Sequence, residues 1–347
     1  MKQIRTALCS YGMSGHLFHA PFIEANPGFE LYAVWERNKD VAVKKYPKIK
    51  TVRNLEDLLM DDSIELIIVN TPNITHFEFA KQIIEAGKHL VIEKPFAVTG
   101  NQCHELIELA AKYHVMLSVY HNRRWDSDFK TVQRVYNSGV LGELVDAEFH
   151  YDRYESNLSY KTHKEKPTLG VGSLYDLGSH LIDQALVLFG MPASVYGYLD
   201  AFRDKSQVAD YFDVKLYYKE FVVTLKSSYF VKEPQAAYIL NGKNGSFIKS
   251  KADIQEAQLQ KEIAPNTINW GKEPASEQGL LHVLKDGPFK KEKVPTEVGN
   301  YASFYNGIYD SIRNNQPVPV LPEEALNVIV VIEAAIKSNQ EKKVINL

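Results

Sequence analysis

Ile4-Arg5-Thr6-Ala7-Leu8-Cys9-Ser10-Tyr11-Gly12-Met13-Ser14-Gly15 is an apolar run, a small-residue turn and the opening of a helix. A short apolar strand that passes through a glycine turn into a helix is the first βα unit of a parallel sheet. The fingerprint for a dinucleotide at such a turn is G-x-G-x-x-G; here Ser10 stands at the first glycine, and Gly12 and Gly15 are in register. Gly12 lets the backbone approach a pyrophosphate, and Gly15 lets the helix pack close to the sheet. The free N–H groups of the helix start then face the anion. Ser10, whose hydroxyl can reach a phosphate, Gly12, Met13, Ser14 and Gly15 are therefore candidate cofactor contacts. Glu36 closes the second strand, where an acidic side chain accepts from a ribose 2′-OH and favours NAD over NADP. Arg37 beside it offers the opposite choice, since it can stack on adenine or pair with a 2′-phosphate.

Outward from this turn, residues 1–122 alternate apolar strands (Ile4–Cys9, Glu30–Trp35, Ile49–Val52, Glu65–Val69, His89–Ile92, Met116–Tyr120) with helices. That alternation predicts a doubly wound parallel sheet of the Rossmann type, with helices on both faces. After Asn122 the texture changes. A helix over Asp128–Asn137 precedes the Tyr- and Phe-rich runs Leu144–Tyr154, Ser194–Phe202, Phe212–Tyr218, Val222–Phe230 and Ala237–Leu240. These predict an α+β domain over 123–347 with a large, mostly antiparallel open sheet. Residues 251–295 have weak periodicity and read as surface structure; helices follow at Asn300–Asn314 and Pro322–Ser338.

Two further segments carry chemistry. Glu93-Lys94-Pro95 follows a buried-type strand, and Asp176-Leu177-Gly178-Ser179-His180 opens a helix with Asp176 and His180 at i and i+4 on one face. A lysine, an aspartate and a histidine are what a site needs to move a proton while a cofactor exchanges a hydride. An imidazole titrates near neutral pH and suits the base; Asp176 or Asp183 can hold its tautomer. Thr71, Pro72, Asn73 and His76 follow the fourth strand at the sheet edge where ligands bind. Arg124 and Trp125 begin the second domain and are candidate substrate contacts, with packing at the hinge as the alternative; Arg153 ends a strand that can face the substrate and is a candidate substrate contact too. His16 and His19 lack a third ligand nearby, so no metal is expected.

Bulk composition narrows the classes. The chain has 347 residues, 45% hydrophobic and 24% charged, with a net charge of −3. Two domains follow from the length. The absence of any basic block argues against nucleic acid or an anionic membrane as partner. Cys9 and Cys103 are too few for a disulfide framework. The N-terminus runs into a strand with no signal-peptide pattern, and no apolar run approaches the roughly 20 residues that span a bilayer. A cytoplasmic enzyme is expected.

These pieces together resemble the Gfo/Idh/MocA oxidoreductases, the glucose–fructose oxidoreductase and inositol dehydrogenase family. The resemblance spans nearly the whole chain. It rests on the Gly12/Gly15 turn, Thr71-Pro72-Asn73-Ile74-Thr75-His76, Glu93-Lys94-Pro95 and Asp176-Leu-Gly-Ser-His180-Leu-Ile-Asp183. His121-Asn122-Arg123-Arg124-Trp125-Asp126-Ser127-Asp128-Phe129, Asp210-Tyr211-Phe212 and His19-Ala20-Pro21 look like a subgroup that includes scyllo-inositol dehydrogenases. The resemblance implies an NAD(P)-dependent dehydrogenase acting on a CH–OH group of a sugar or cyclitol. It implies an active site between the domains and a homodimer or higher homo-oligomer formed through the C-terminal sheet. By position, Lys94 meets the substrate hydroxyl beside the nicotinamide, Asp176 binds substrate, His180 is the acid/base and Glu93 meets the nicotinamide ribose. His163-Lys164-Glu165 stands where relatives read Trp-Arg-Glu, so His163 is a candidate substrate contact and the exact substrate does not transfer. Two other readings share the resemblance: a dinucleotide- or sugar-sensing regulator, and an NAD-dependent glycosidase without net redox change.

Overall fold

Six short apolar runs pair side by side, all parallel, in the computed structural model, which describes residues 2–284 and 287–347. They are β1 (Ile4–Leu8), β2 (Phe29–Trp35), β3 (Lys50–Val52), β4 (Leu66–Val69), β5 (His89–Glu93) and β6 (Leu117–Tyr120). Their order is β3-β2-β1-β4-β5-β6, so the winding reverses between β1 and β4. β4 is buried at every position, as a strand covered on both faces must be. The connections are α1 (Ala20–Ala25), α2 (Val41–Lys45), α3 (Glu56–Leu59), α4 (His76–Glu85) and α5 (Gly100–Tyr113). Thr99 caps α5 by accepting from Gln102 N–H, and His114 closes it in the left-handed region.

This unit is not made only of the N-terminal segment. Gln255–Trp270 and Asn300–Leu326 pack with it. The reason is an aromatic cluster: Phe22 stacks on Tyr305 at 5.8 Å, Tyr120 meets Phe304 edge-on at 4.8 Å, and Trp270 meets Phe22 at 5.9 Å. Burying rings of this size is a large apolar gain. The buried Gln255 joins the returning segments, its Oε1 accepting from Trp270 Nε1 and from Tyr301 N–H.

The second unit contains Arg123–Ile254, Gly271–Gly299 and Asn327–Leu347. Its α6 (Ser127–Asn137) and α7 (Ser179–Phe189) accompany a nine-stranded sheet. The strands are β7 (Leu144–His150), β8 (Ser194–Asp200), β9 (Tyr211–Tyr217), β10 (Val222–Ser228), β11 (Tyr238–Gly242), β12 (Gly245–Lys249), β13 (Gly279–Leu284), β14 (Phe289–Val294) and β15 (Ile345–Asn346). Every pair is antiparallel except β7 with β10. β9 and β10 alternate buried with half-buried residues, so one face carries the core. Helix Pro322–Glu341 lies so close to β8 that a Cβ on Gly197 would sit 2.4 Å from the Ala335 carbonyl; Ser338 Oγ accepts from Gly197 N–H.

Three sequence expectations change. Residues 251–295 contain the helix Gln255–Gln260 and strands β13 and β14 as well as surface loops. β14, Phe-Lys-Lys-Glu-Lys-Val, is an exposed edge whose lysines disguise a strand and also protect it from pairing with other chains. Second, β7, β8 and β10 end earlier than their apolar patterns, at His150, Asp200 and Ser228; beyond them Tyr154 and Phe230 make only an isolated bridge. Third, the helix opening at Asp176 starts as a π turn over Leu174–Gly178, so Asp176 and His180 do not share a regular α-helical face.

A buried ion pair ties β12 to the start of α6. Lys249 Nζ lies 2.7 Å from Glu273 Oε2, both side chains fully inaccessible, and Ser127 Oγ donates to Glu273 Oε1. Removing one partner strands the other charge in the core. Glu273→Ala is therefore expected to lower unfolding free energy by about 3–5 kcal/mol, measured by urea denaturation; a loss below about 1 kcal/mol would mean the pair behaves as a surface contact.

Candidate active site

At the carboxyl ends of β1 and β4, where the strand order reverses, Ser10 and Asn70 form a three-bond clasp. Ser10 N–H donates to Asn70 Oδ1 at 2.9 Å, Asn70 Nδ2 donates to the Ser10 carbonyl at 2.8 Å, and Ser10 Oγ donates to the Asn70 carbonyl at 2.8 Å. The Ser10 hydroxyl thus donates inside the protein, whereas the sequence offers it to a phosphate. The clasp also explains why the first glycine of the fingerprint is dispensable here: the serine side chain stabilises the turn.

The other two glycines behave as their positions predict. A Cβ on Gly15 would lie 2.4 Å from the Ser10 carbonyl and 2.8 Å from Asn70 Nδ2, so only glycine lets the helix approach the clasp. A Cβ on Gly12 would meet nothing nearer than Ser10 Oγ at 3.9 Å, and Gly12 and Met13 are exposed. The turn therefore presents open backbone, which fits a pyrophosphate. Ser14 precedes a π turn over Gly15–His19 that runs on into α1. Such turns recur at functional sites.

Glu36 is turned inward. Its two carboxylate oxygens accept from the N–H groups of Val41 and Ala42, capping α2, and the residue is 7% exposed. A helix start attracts an anion that lies within reach, and here it draws the carboxylate toward α2. Arg37 is exposed.

On the far side of β4, Glu93 ends β5. Oε1 lies 3.0 Å from His19 Nε2, and Oε2 accepts the Lys94 N–H. His19 Nδ1 lies 2.6 Å from Tyr305 Oη. Burial pushes the Glu93 pKa up, but the hydrogen bond and charge of His19, aided by Lys94, outweigh it and hold the carboxyl below 4.5. Glu93 therefore braces the backbone that carries Lys94, and His19 is engaged in that brace. Among the described residues no group of His, Cys, Asp and Glu is arranged for a metal.

His76 is fully buried, its ring nitrogens 2.8 Å from the Pro95 carbonyl and 2.9 Å from the Thr71 carbonyl. It clamps the β4 loop to the β5 loop with its ring fully buried. Thr71 Oγ1 pairs with Thr75 Oγ1, while Pro72 is exposed and Asn73 half-buried.

In the second unit, His180 is buried in the first turn of α7, and its ring lies parallel to that of Tyr151 at 6.4 Å. The Asp176 carboxylate is 37% exposed and lies 3.3 Å from Lys164 Nζ. Asp183 is held bidentately by Arg124, with Nε at 2.9 Å and Nη2 at 2.6 Å. Trp125 is half-buried beside that pair in sequence, and Arg153 half-buried at the end of the segment after β7. His163 lies in a short turn, Thr162–Lys164, and its side chain is outside the described residues. Sequence reasoning missed Asn70 as the partner of Ser10, His19 as the partner of Glu93, and Tyr151. The last had a signal: it lies two residues before Arg153, on the same side of an extended segment.

Comparison with known proteins adds to this geometry. Residues 4–121 match the NAD-binding Rossmann fold of the GFO_IDH_MocA oxidoreductase family, and residues 136–347 match that family's C-terminal alpha/beta domain. The scyllo-inositol 2-dehydrogenase (NADP(+)) IolW of Bacillus subtilis is 36% identical over 99% of this chain and 96% of its own length. A solved oxidoreductase structure from Bacteroides fragilis is 44% identical, with a TM-score of 0.91 and full coverage of both chains. The structure of yvaA from Bacillus subtilis is 36% identical, with a TM-score of 0.97 over 100% of this chain and 99% of that one.

Two outcomes follow from the first unit. Asn70→Ala is expected to weaken dinucleotide binding about tenfold in a fluorescence titration while the protein stays folded; unchanged affinity would separate the clasp from the site. A depressed carboxyl pKa contributes stability above its unfolded value and loses it as pH falls through the folded value. The stability difference between wild type and Glu93→Gln should therefore hold steady above about pH 5.5 and narrow below 4.5, the reference value.

Proposed function

This chain belongs to the Gfo/Idh/MocA oxidoreductase family, and from that premise we propose that it is an NADP-preferring dehydrogenase of a sugar or cyclitol secondary alcohol. What carries the reading is the survival of all three proton-handling groups: Lys94 at the end of a braced strand, and Asp176 and His180 on a π turn that becomes a helix. A non-catalytic sensor has no need of them. When bound, the nicotinamide accepts or delivers the hydride at C4.

The residues then divide the remaining work. The imidazole of His180 takes the hydroxyl proton as hydride leaves the same carbon, and returns it in the reverse direction. Lys94 Nζ donates a hydrogen bond to the oxygen as negative charge grows on it. Asp176 accepts from a neighbouring hydroxyl and fixes the ring's orientation. Trp125 and Arg124 flank the substrate's approach, with Arg124 acting mainly through Asp183. His163, which stands where related sequences often read Trp, is a further candidate for substrate choice.

The cofactor preference rests on Glu36 and Arg37. A carboxylate capping α2 neither binds a ribose diol nor opposes a 2′-phosphate as an outward one does, and the exposed Arg37 guanidinium suits that phosphate. The named cofactor of the relative IolW points the same way. We further propose a homo-oligomer through the half-exposed face of the nine-stranded sheet. Tyr198, Tyr211 and Phe202 cluster there, with ring distances of 5.9 and 5.5 Å.

Nicotinamide absorbance at 340 nm, with NADP and NAD in parallel over inositols, aldoses and sugar acids, tests the reading. Lys94→Ala and His180→Ala are each expected to lower kcat by about 10²–10⁴-fold while cofactor affinity stays within about threefold; near wild-type turnover in either would sink the assignment. Arg37→Ala should raise the KM for NADP about tenfold and leave that for NAD nearly unchanged. Equal changes for both would remove Arg37 from the 2′-phosphate.

A further inference from the structure

Around one ring of the second unit the structure gathers three cations. Lys251 Nζ lies 4.7 Å from the centroid of Tyr151, and the guanidinium carbons of Arg123 and Arg153 each lie 5.4 Å from it. The fourth neighbour of that ring is His180. Two of the cations share one carboxylate: the inaccessible Asp126 Oδ2 lies 3.1 Å from Lys251 Nζ and 3.4 Å from Arg123 Nη1. The nearby Asp128 accepts from the N–H groups of Phe129, Ala252 and Asp253 and from the Tyr238 hydroxyl, and its charge also acts on Lys251.

Arg153 differs from the other two. Among the described residues it forms no salt bridge; its electrostatic neighbours are Tyr151, Asp176 and Tyr229. Asp176 itself pairs with Lys164. The backbone of Arg153 is fixed, donating to the Ser228 carbonyl and accepting from Val231 N–H, both at 2.9 Å. The one carboxylate near this half-buried guanidinium, Asp176, is partly exposed and shared with Lys164, so a guanidinium held on rigid backbone can take a further anion.

Resting on the dehydrogenase reading above, we propose that the substrate carries an oxyanion group, a carboxylate or a phosphate, and that Arg153 receives it beside Tyr151 while Arg123 and Lys251 supply the surrounding field. The reacting alcohol then lies at His180 and the acidic group toward Arg153, so the substrate class is an acidic sugar or cyclitol. A planar guanidinium favours a bidentate carboxylate or two phosphate oxygens.

The test compares D-glucuronate, D-gluconate and D-glucose 6-phosphate with D-glucose and myo-inositol. Each is assayed with NADP at 340 nm and titrated calorimetrically into the NADP-loaded protein, for wild type, Arg153→Ala and Arg153→Lys. At least one acid is expected to exceed its neutral parent about 30-fold in kcat/KM. Arg153→Ala should remove that advantage while changing neutral substrates by less than about threefold, and Arg153→Lys should restore part of it. The carboxylate and phosphate arms then identify which oxyanion fits.

Equal or better use of the neutral parents overturns the proposal, as does an Arg153→Ala loss of the same size for acids and neutral sugars. If nothing turns over although NADP binds, the dehydrogenase reading fails and calorimetry decides alone. Acid binding that Arg153→Ala abolishes supports the oxyanion site, and no acid binding overturns it.

Discussion

The hydrogen bonds between Ser10 and the Asn70 side chain close the gap at the one place where the sheet's winding reverses. β1 and β4 are neighbours there, but the chain leaves them toward opposite faces, so their carboxyl ends have no common helix to hold them. An amide side chain has both a donor and an acceptor and pairs with a backbone N–H and C=O at once. With the clasp closed, Gly15 must be glycine, because any Cβ would strike the Ser10 carbonyl. The position of the π turn, the exposure of Gly12 and the direction of the helix start all depend on that contact.

A second brace lies at the end of β5. Glu93 takes the Lys94 N–H with one oxygen and faces His19 with the other, and His76 links the Thr71 and Pro95 carbonyls. Three residues with the appearance of ligand contacts are thereby structural supports for the loop bearing Lys94. In the second unit the same division appears. Arg124 holds Asp183 bidentately, while Arg153, on an ordered backbone, has as its carboxylate neighbour Asp176, which Lys164 shares.

Much of the fold was legible in the residues. Continuous apolar runs such as Leu66–Val69 alternate with helices of the right length, and that period alone implies a parallel, two-sided sheet. The Tyr- and Phe-rich alternation after residue 122 implied the second, largely antiparallel sheet. β14 escaped notice because a strand rich in Lys and Glu has no apolar face to betray it. Strand ends at His150, Asp200 and Ser228 were overrun because β propensity continues past the last residue with a pairing partner.

By itself the sequence determined the order of most strands and helices and the two glycines of the turn, and it named candidate side chains for the chemistry. Each of these depends on neighbours within one helical turn or one strand, where spacing and side-chain type suffice. Only the tertiary structure decided what each polar group is bonded to. Ser10 finds a residue 60 positions away, His19 finds Tyr305, Arg124 finds a residue 59 positions away, and the ring of Tyr151 collects Arg123, Arg153 and Lys251. A hydrogen-bonding side chain specifies the kind of partner it needs but not which one, and that choice is made when the fold brings distant segments within about 3 Å.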